Sequence, residues 1–207
     1  MLTAGKLLVA THTPGKLREF ATLLSECTFE LVSLADVGID EDVPETGSTF
    51  EENATIKAKF YSGKSGMLTL AEDSGLEVDA LGGEPGVYSS RHAGPGVSDE
   101  GRNAFLLRKL AELHEGPWDG RYRSVIALAV PGQPISLHAG ECAGRIVDTP
   151  RGDNGFGYDP IFLVPQHGRT MAELSPAQKD RISHRGVAAR KAIEDLCQIA
   201  RDRMQPG

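Results

Sequence analysis

A short apolar run, Leu7-Leu8-Val9-Ala10, breaks off into the polar stretch Thr11-His12-Thr13-Pro14-Gly15. After it, Leu17, Phe20, Leu23 and Leu24 recur at helical spacing across residues 16–26. A brief apolar run closed by Pro and Gly reads as a buried strand entering a loop. Strand, loop and amphipathic helix in that order begin an α/β unit, in which helices cover a sheet. The rest of the chain keeps to this grammar. Residues 29–34, 68–71 and 160–164 read as strands, and residues 122–130 and 135–142 flank Pro131-Gly132-Gln133-Pro134 as a hairpin. Ser48 with Glu51 has the capping-box spacing that opens a helix. Ser98 caps a further expected helix with Phe105, Leu106, Leu110 and Leu113 on its apolar side, and residues 187–200 form a last one.

The 207 residues fit one domain spanning residues 1–207 and are enough for a real core. A net charge of -7 argues against a nucleic-acid polymer as the main partner, while leaving room for a basic pocket that takes a charged small molecule. Cys27, Cys142 and Cys197 are widely spaced and fit neither a metal motif nor a disulfide framework, so a cytoplasmic location is expected. The run 7–10 is too short for a signal peptide, and no stretch approaches the ~20 apolar residues of a membrane span.

Four groups of residues carry chemistry. The turn Thr11 to Lys16 joins a strand to a helix, where free backbone N–H groups and the helix dipole favour an anion. Lys16 adds a charge and Thr11 and Thr13 add hydroxyls, but Leu17 after the lysine excludes a Walker A loop. The second group is acidic, with Glu45 in Pro44-Glu45-Thr46-Gly47 and the run Glu72-Asp73-Ser74-Gly75. Carboxylates of this kind suit Mg²⁺, which keeps waters and bridges phosphates, and one of them can accept a proton from an attacking water. The local sequence makes Glu72 a solvated acid, whereas Asp73 follows a buried strand and precedes Ser74-Gly75 at the end of a strand where α/β sheets bind ligands.

The third group is basic: Lys57, Lys179, His184 and Arg185. Lys57 falls beside the stripe Phe50, Ala54, Ala58 and Tyr61, and an inward lysine needs a partner. Lys179 alone reads as a solvated helix charge. The fourth group is Gly155-Phe156-Gly157-Tyr158-Asp159-Pro160, where glycines permit close backbone approach and two rings offer flat faces. The role of His92 stays open; His114, His138 and His167 lack ligand spacing and read as surface or core residues.

Five ordered blocks carry a resemblance. They are residues 45–54 (Glu-Thr-Gly-Ser-Thr-Phe-Glu-Glu-Asn-Ala), 72–76 (Glu-Asp-Ser-Gly-Leu), 85–91 (Pro-Gly-Val-Tyr-Ser-Ser-Arg), 155–160 (Gly-Phe-Gly-Tyr-Asp-Pro) and Ser183-His184-Arg185. The chain resembles the Ham1-like inosine triphosphate pyrophosphatases, the bacterial dITP/XTP pyrophosphatases, nearly from end to end. The resemblance implies a two-lobed single α/β domain around a long mixed sheet, with helices on its faces and a central cleft. It implies hydrolysis of dITP, ITP and XTP to monophosphate and pyrophosphate, with Mg²⁺ or Mn²⁺, in a homodimer. It assigns Asp73 as general base and metal ligand, and Glu45 to the metal. Thr11, His12, Thr13, Pro14, Gly15, Lys16 and Lys57 would hold phosphates, and Ser74 would touch the nucleotide. Phe156, Gly157, Tyr158, Asp159, Lys179, His184 and Arg185 would form the nucleoside pocket. His12 and Thr13 stand where the family usually has Gly and Asn, which puts the loop's conformation in doubt, and two rival readings stay open, the first of them resting on that loop. One is a nucleotide-binding sensor without turnover; the other is a phosphomonoesterase acting through an aspartyl-phosphate.

Overall fold

The computed structural model describes residues 4–113 and 116–204, so His114 lies outside the described residues. One seven-stranded sheet has the order β2-β1-β3-β4-β5-β6-β7. Its strands are β1 (Lys6–Ala10), β2 (Glu30–Ser33), β3 (Leu68–Val78), β4 (Trp118–Ala129), β5 (Ser136–Ile146), β6 (Phe162–Val164) and β7 (Arg169–Thr170). β1 pairs in parallel with both β2 and β3, while β6 is antiparallel to β5 and β7, so the sheet is mixed. The helices are α1 (Pro14–Leu23), α2 (Phe50–Ser65), α3 (Asp99–Ala111), α4 (Pro176–Ile182) and α5 (His184–Met204).

Burial follows the strand environment. Leu7 to Ala10 are all buried, as expected for a parallel strand covered on both faces. β5 instead alternates exposed and covered residues, the period-two pattern of a strand with one wet face. α2 begins one residue later than the Ser48–Glu51 spacing suggests. Thr49 is its N-cap, with Oγ1 accepting from the Glu52 N–H at 3.1 Å, and Glu52 reaches back to the Ser48 N–H at 2.7 Å. The cap is therefore Thr49, and Glu52 bonds the residue before it instead of closing a reciprocal box on the cap's own N–H. β3 also differs from the short strand expected. It continues to Val78, so Glu72 to Gly75 lie within a strand and not in a loop beyond it. Leu113 falls past the end of α3 and is exposed, while Leu106 and Leu110 face the core as expected.

Two compact units make up the chain. The first comprises Met1–Asp73, Ser124–Gly140 and Arg185–Gly207. Leu7, Val9, Phe20, Leu68, Leu70, Ile126, Leu128 and Leu196 lie at its apolar centre. The second comprises Ser74–Arg123 and Glu141–His184. It is centred on Leu76, Leu106, Leu110, Trp118, Tyr122, Ile161, Phe162 and Met171.

The position of the α2 cap is testable by denaturation. Thr49→Ala removes the side-chain acceptor of the first turn and should cost about 1 kcal/mol of stability. Ser48→Ala should cost less, because the Ser48 backbone N–H still reaches Glu52. A larger loss for Ser48→Ala than for Thr49→Ala would return the cap to Ser48.

Candidate active site

In the first unit, β3 supplies Glu72 and Asp73, and α2 supplies Asn53 and Lys57. Residues four apart on a helix share a face, so Asn53 and Lys57 reach the same strand. The Lys57 ammonium lies 2.8 Å from Asp73 Oδ1 and 2.6 Å from Glu45 Oε1, and donates to the Glu72 carbonyl at 3.1 Å. Asn53 Nδ2 donates to Asp73 Oδ2 at 3.2 Å, while its Oδ1 accepts the Gly47 N–H at 2.8 Å. One amide thus ties the loop that carries Glu45 to the strand that carries Asp73.

Glu72 is not the solvated acid that its local sequence suggests. It is only 4% exposed, with Lys16 Nζ 2.8 Å from Oε2. Oε1 accepts from Ser124 at 2.8 Å and lies 3.1 Å from Arg185 Nη2. Arg185, itself 2% exposed, also pairs with Glu19 of α1 and lies 5.9 Å from the Phe20 ring. Arg185, which the resemblance groups with the nucleoside residues, thus takes a second role: its guanidinium anchors Glu72. Ser124 and Glu19 were missed, because nothing in their local sequence signals a buried partner far along the chain.

Burial is the largest influence on Asp73 and pushes its carboxyl above the ordinary value. Lys57 and Lys16 oppose that push without cancelling it. For Lys57 burial acts against the charge, but Asp73 and Glu45 outweigh it and raise the ammonium above its usual value. The proton therefore stays on Lys57, and Asp73 remains a carboxylate of increased proton affinity.

The entry loop fits without strain. Among the described residues none other than glycine has positive φ, so His12 needs no glycine-like conformation. Its Nε2 lies 3.3 Å from the Glu41 carbonyl oxygen. The Thr13 N–H donates to Thr11 Oγ1 at 3.1 Å. Thr13 is the N-cap of α1, and Pro14, Gly15 and Lys16 form its first turn.

The second unit gathers the ring-bearing residues. Asp159 Oδ2 accepts from Lys179 Nζ at 2.6 Å and from the Phe156 N–H at 3.0 Å. Its Oδ1 accepts from Tyr122 Oη at 3.2 Å. Tyr122 stacks on His184 at 4.6 Å between centroids, and Lys179 Nζ lies 5.0 Å from the Phe156 ring centre. Lys179 is 5% exposed, so it is no solvated helix charge, and its partner twenty residues away is what the local sequence hid. Gly155 has φ +80, and a Cβ there would lie 2.0 Å from Asp159 Oδ2. That glycine makes room for the Asp159 carboxylate itself. The Tyr158 hydroxyl donates to the Ser89 carbonyl at 3.0 Å, and burial pushes it up to about 12. Ser74 follows Asp73 in β3 and is half-buried.

The charge on Asp73 has a stability consequence. Its folded value is raised, so the folded state holds the proton more tightly than the unfolded chain. Stability is then lost as pH rises from the ordinary carboxyl value of 3.8 through the raised one. Asp73→Asn mimics the protonated form. At pH 7 it should raise Tm, each tenfold gain in proton affinity being worth about 1.4 kcal/mol, and the advantage should vanish below about pH 4. A variant less stable than wild type at pH 7, with the deficit shrinking on acidification, would show that the carboxyl is lowered and not raised.

Known proteins resemble this chain along nearly its whole length. The Ham1 family profile matches residues 7–195. A dITP/XTP pyrophosphatase of Symbiobacterium thermophilum is 50% identical over 194 residues, covering 92% of this chain and 94% of that protein. One from Bacillus licheniformis is 45% identical over 186 residues, covering 90% of this chain and 95% of its own length. The solved structure of a HAM1 protein from Coxiella burnetii is 39% identical and superposes with a TM-score of 0.85, over 93% of this chain and 98% of that one. Matched in both sequence and fold, the chain belongs to the Ham1 family.

Proposed function

We propose that the protein hydrolyses dITP, ITP and XTP to the monophosphate and pyrophosphate, removing non-canonical purine nucleotides from the pool. The observation that carries this reading is the buried Asp73 carboxylate, held by Lys57 and Asn53 and raised in proton affinity by burial. A base of that kind takes a proton from a positioned water more readily than an exposed aspartate does. The relatives named above as dITP/XTP pyrophosphatases support the choice of substrate.

In the proposed reaction, water attacks the α-phosphorus and its proton passes to Asp73. The bond from the α-phosphorus to the bridging oxygen breaks, and the electron pair leaves on pyrophosphate. Lys16 and Lys57 neutralise charge on the phosphates, which is where such reactions gain most. When Lys16 turns from Glu72 to a phosphate oxygen, Ser124 and Arg185 still hold the acid through Oε1. Phe156, Tyr158, Asp159, Lys179 and His184 serve the nucleoside end, with the Phe156 ring as stacking face.

The donors fit a hard divalent cation. Among the described residues no group of three or more His, Cys, Asp and Glu is assembled for a metal. Glu45 and Asp73 are two carboxylates gathered around one ammonium, and one or two carboxylates completed by substrate phosphates are what Mg²⁺ uses. Glu45 and Asp73 would hold Mg²⁺ or Mn²⁺, which when bound would neutralise the triphosphate and orient water. The same reading carries a homodimer in the cytoplasm. Cys27, Cys142 and Cys197 are free, as a reducing compartment allows, and among the described residues no helix is long and apolar enough to cross a membrane. The unstrained His12 counts against a sensor that lost turnover through its loop.

A nucleotide panel with Mg²⁺, separated by chromatography, tests the proposal. dITP, ITP and XTP should yield monophosphate and intact pyrophosphate well ahead of ATP and GTP, and excess EDTA should stop the reaction. Asp73→Asn should lose about 10²–10⁴-fold in turnover. Orthophosphate as first product, or near wild-type turnover by Asp73→Asn, would refute it.

A further inference from the structure

Helix α3 holds the Gly155–Asp159 loop by a single residue. Asp99 Oδ2 accepts the Gly157 N–H at 2.5 Å, and Asn103 Nδ2 donates to the Gly157 carbonyl at 3.2 Å. The two side chains are four residues apart on α3 and share one face. Gly157 takes φ +65, a conformation that a side chain would strain. Both of its backbone polar groups are thus fixed from outside the loop. Phe156, beside it, is held on its other side by its N–H bond to Asp159.

Asn103 is not explained by the packing of α3. Asn103 is 5% exposed, on a face otherwise lined by Leu106 and Leu110. Among the described residues its buried Oδ1 has no hydrogen-bond partner. A buried amide with an unmatched oxygen costs free energy, so the position is poorly chosen for stability and calls for another explanation. Asp99 is in turn held by Arg102, whose Nη1 donates to the Val97 carbonyl at 2.8 Å and the Ser90 carbonyl at 3.1 Å. The carboxylate that grips Gly157 is therefore itself fixed.

We propose that Asp99 and Asn103 are positioning residues for the nucleoside end of the substrate. They set the Gly157 peptide and, through it, the Phe156 ring against which the base stacks. The inference rests on the reading of this loop as part of the nucleoside pocket. Their effect falls on base recognition and not on the phosphates or the attacking water.

The test compares Asn103→Ala, Asp99→Asn and Phe156→Ala in steady-state turnover of dITP, with inorganic pyrophosphate as a competing inhibitor. Asn103→Ala and Asp99→Asn should each raise KM by up to about tenfold, the worth of one hydrogen bond, with kcat within about twofold. Inhibition by pyrophosphate should be unchanged, and Tm should stay within about 4 °C of wild type. Asn103→Asp keeps the shape and loses the donor, and it repeats the test if the alanine variant does not fold. An unchanged KM for Phe156→Ala would overturn the nucleoside-loop reading. A raised KM for Phe156→Ala beside unchanged values for both α3 variants would overturn the positioning role alone. Equal weakening of dITP and pyrophosphate by the α3 variants would overturn it too, by showing general damage to the site.

Discussion

Lys57 holds two carboxylates, Asp73 and Glu45, on one buried ammonium. The chemistry of the first unit follows from that contact. Taking charges out of water is costly, and only close pairing with further hydrogen bonds offsets the cost. Here Asn53 and the Glu72 carbonyl supply the additional bonds. The pairing is incomplete for Asp73, whose carboxyl is still pushed up by burial, and that residual cost is what makes it a better base. A second set of buried charges runs alongside. Glu72 takes Lys16, Ser124 and Arg185, and Arg185 passes the pairing on to Glu19. Breaking such a pair leaves an uncompensated charge, so the residues hold one another in place whatever their gross contribution to stability.

The sequence made some of this plain and hid the rest for physical reasons. Apolar spacing located α1 and α3, because one-sided burial leaves a repeating trace, while β1, buried on both faces, was legible as a continuous apolar run and the β4–β5 hairpin by its Pro-Gly turn. Spacing also marked Lys57 as an inward lysine in need of a partner, and the partners are there. It misjudged Glu72 and Lys179. Both look solvated among their neighbours in the chain, yet each is paired with residues that only the fold brings near: Ser124 and Arg185 for one, Asp159 for the other. The extent of β3 was hidden too. Glu72-Asp73-Ser74-Gly75 has the polar and small residues of a turn, but the ion pairs let the strand carry its charges inward. His12 raised a doubt about the entry loop that backbone geometry resolves, since no described residue other than glycine has positive φ.

The two units carry different side-chain chemistry. Lysines, carboxylates and the first turn of α1 belong to the first, and they suit phosphates and a hard cation. Rings, a buried Asp159–Lys179 pair and a loop fixed by α3 belong to the second, and they suit a purine. Stability is given up in both: to a buried carboxylate in one, to an amide with an unmatched oxygen in the other. Such costs concentrate where function requires fixed polar groups.

The central claim is that a water deprotonated by Asp73 attacks the α-phosphorus. Turnover of dITP in H₂¹⁸O with Mg²⁺, followed by mass spectrometry of both products, tests it most directly. The account predicts one ¹⁸O in the deoxyinosine monophosphate and none in the pyrophosphate. Label in the pyrophosphate, or in released orthophosphate, would place the attack at another phosphorus and contradict it.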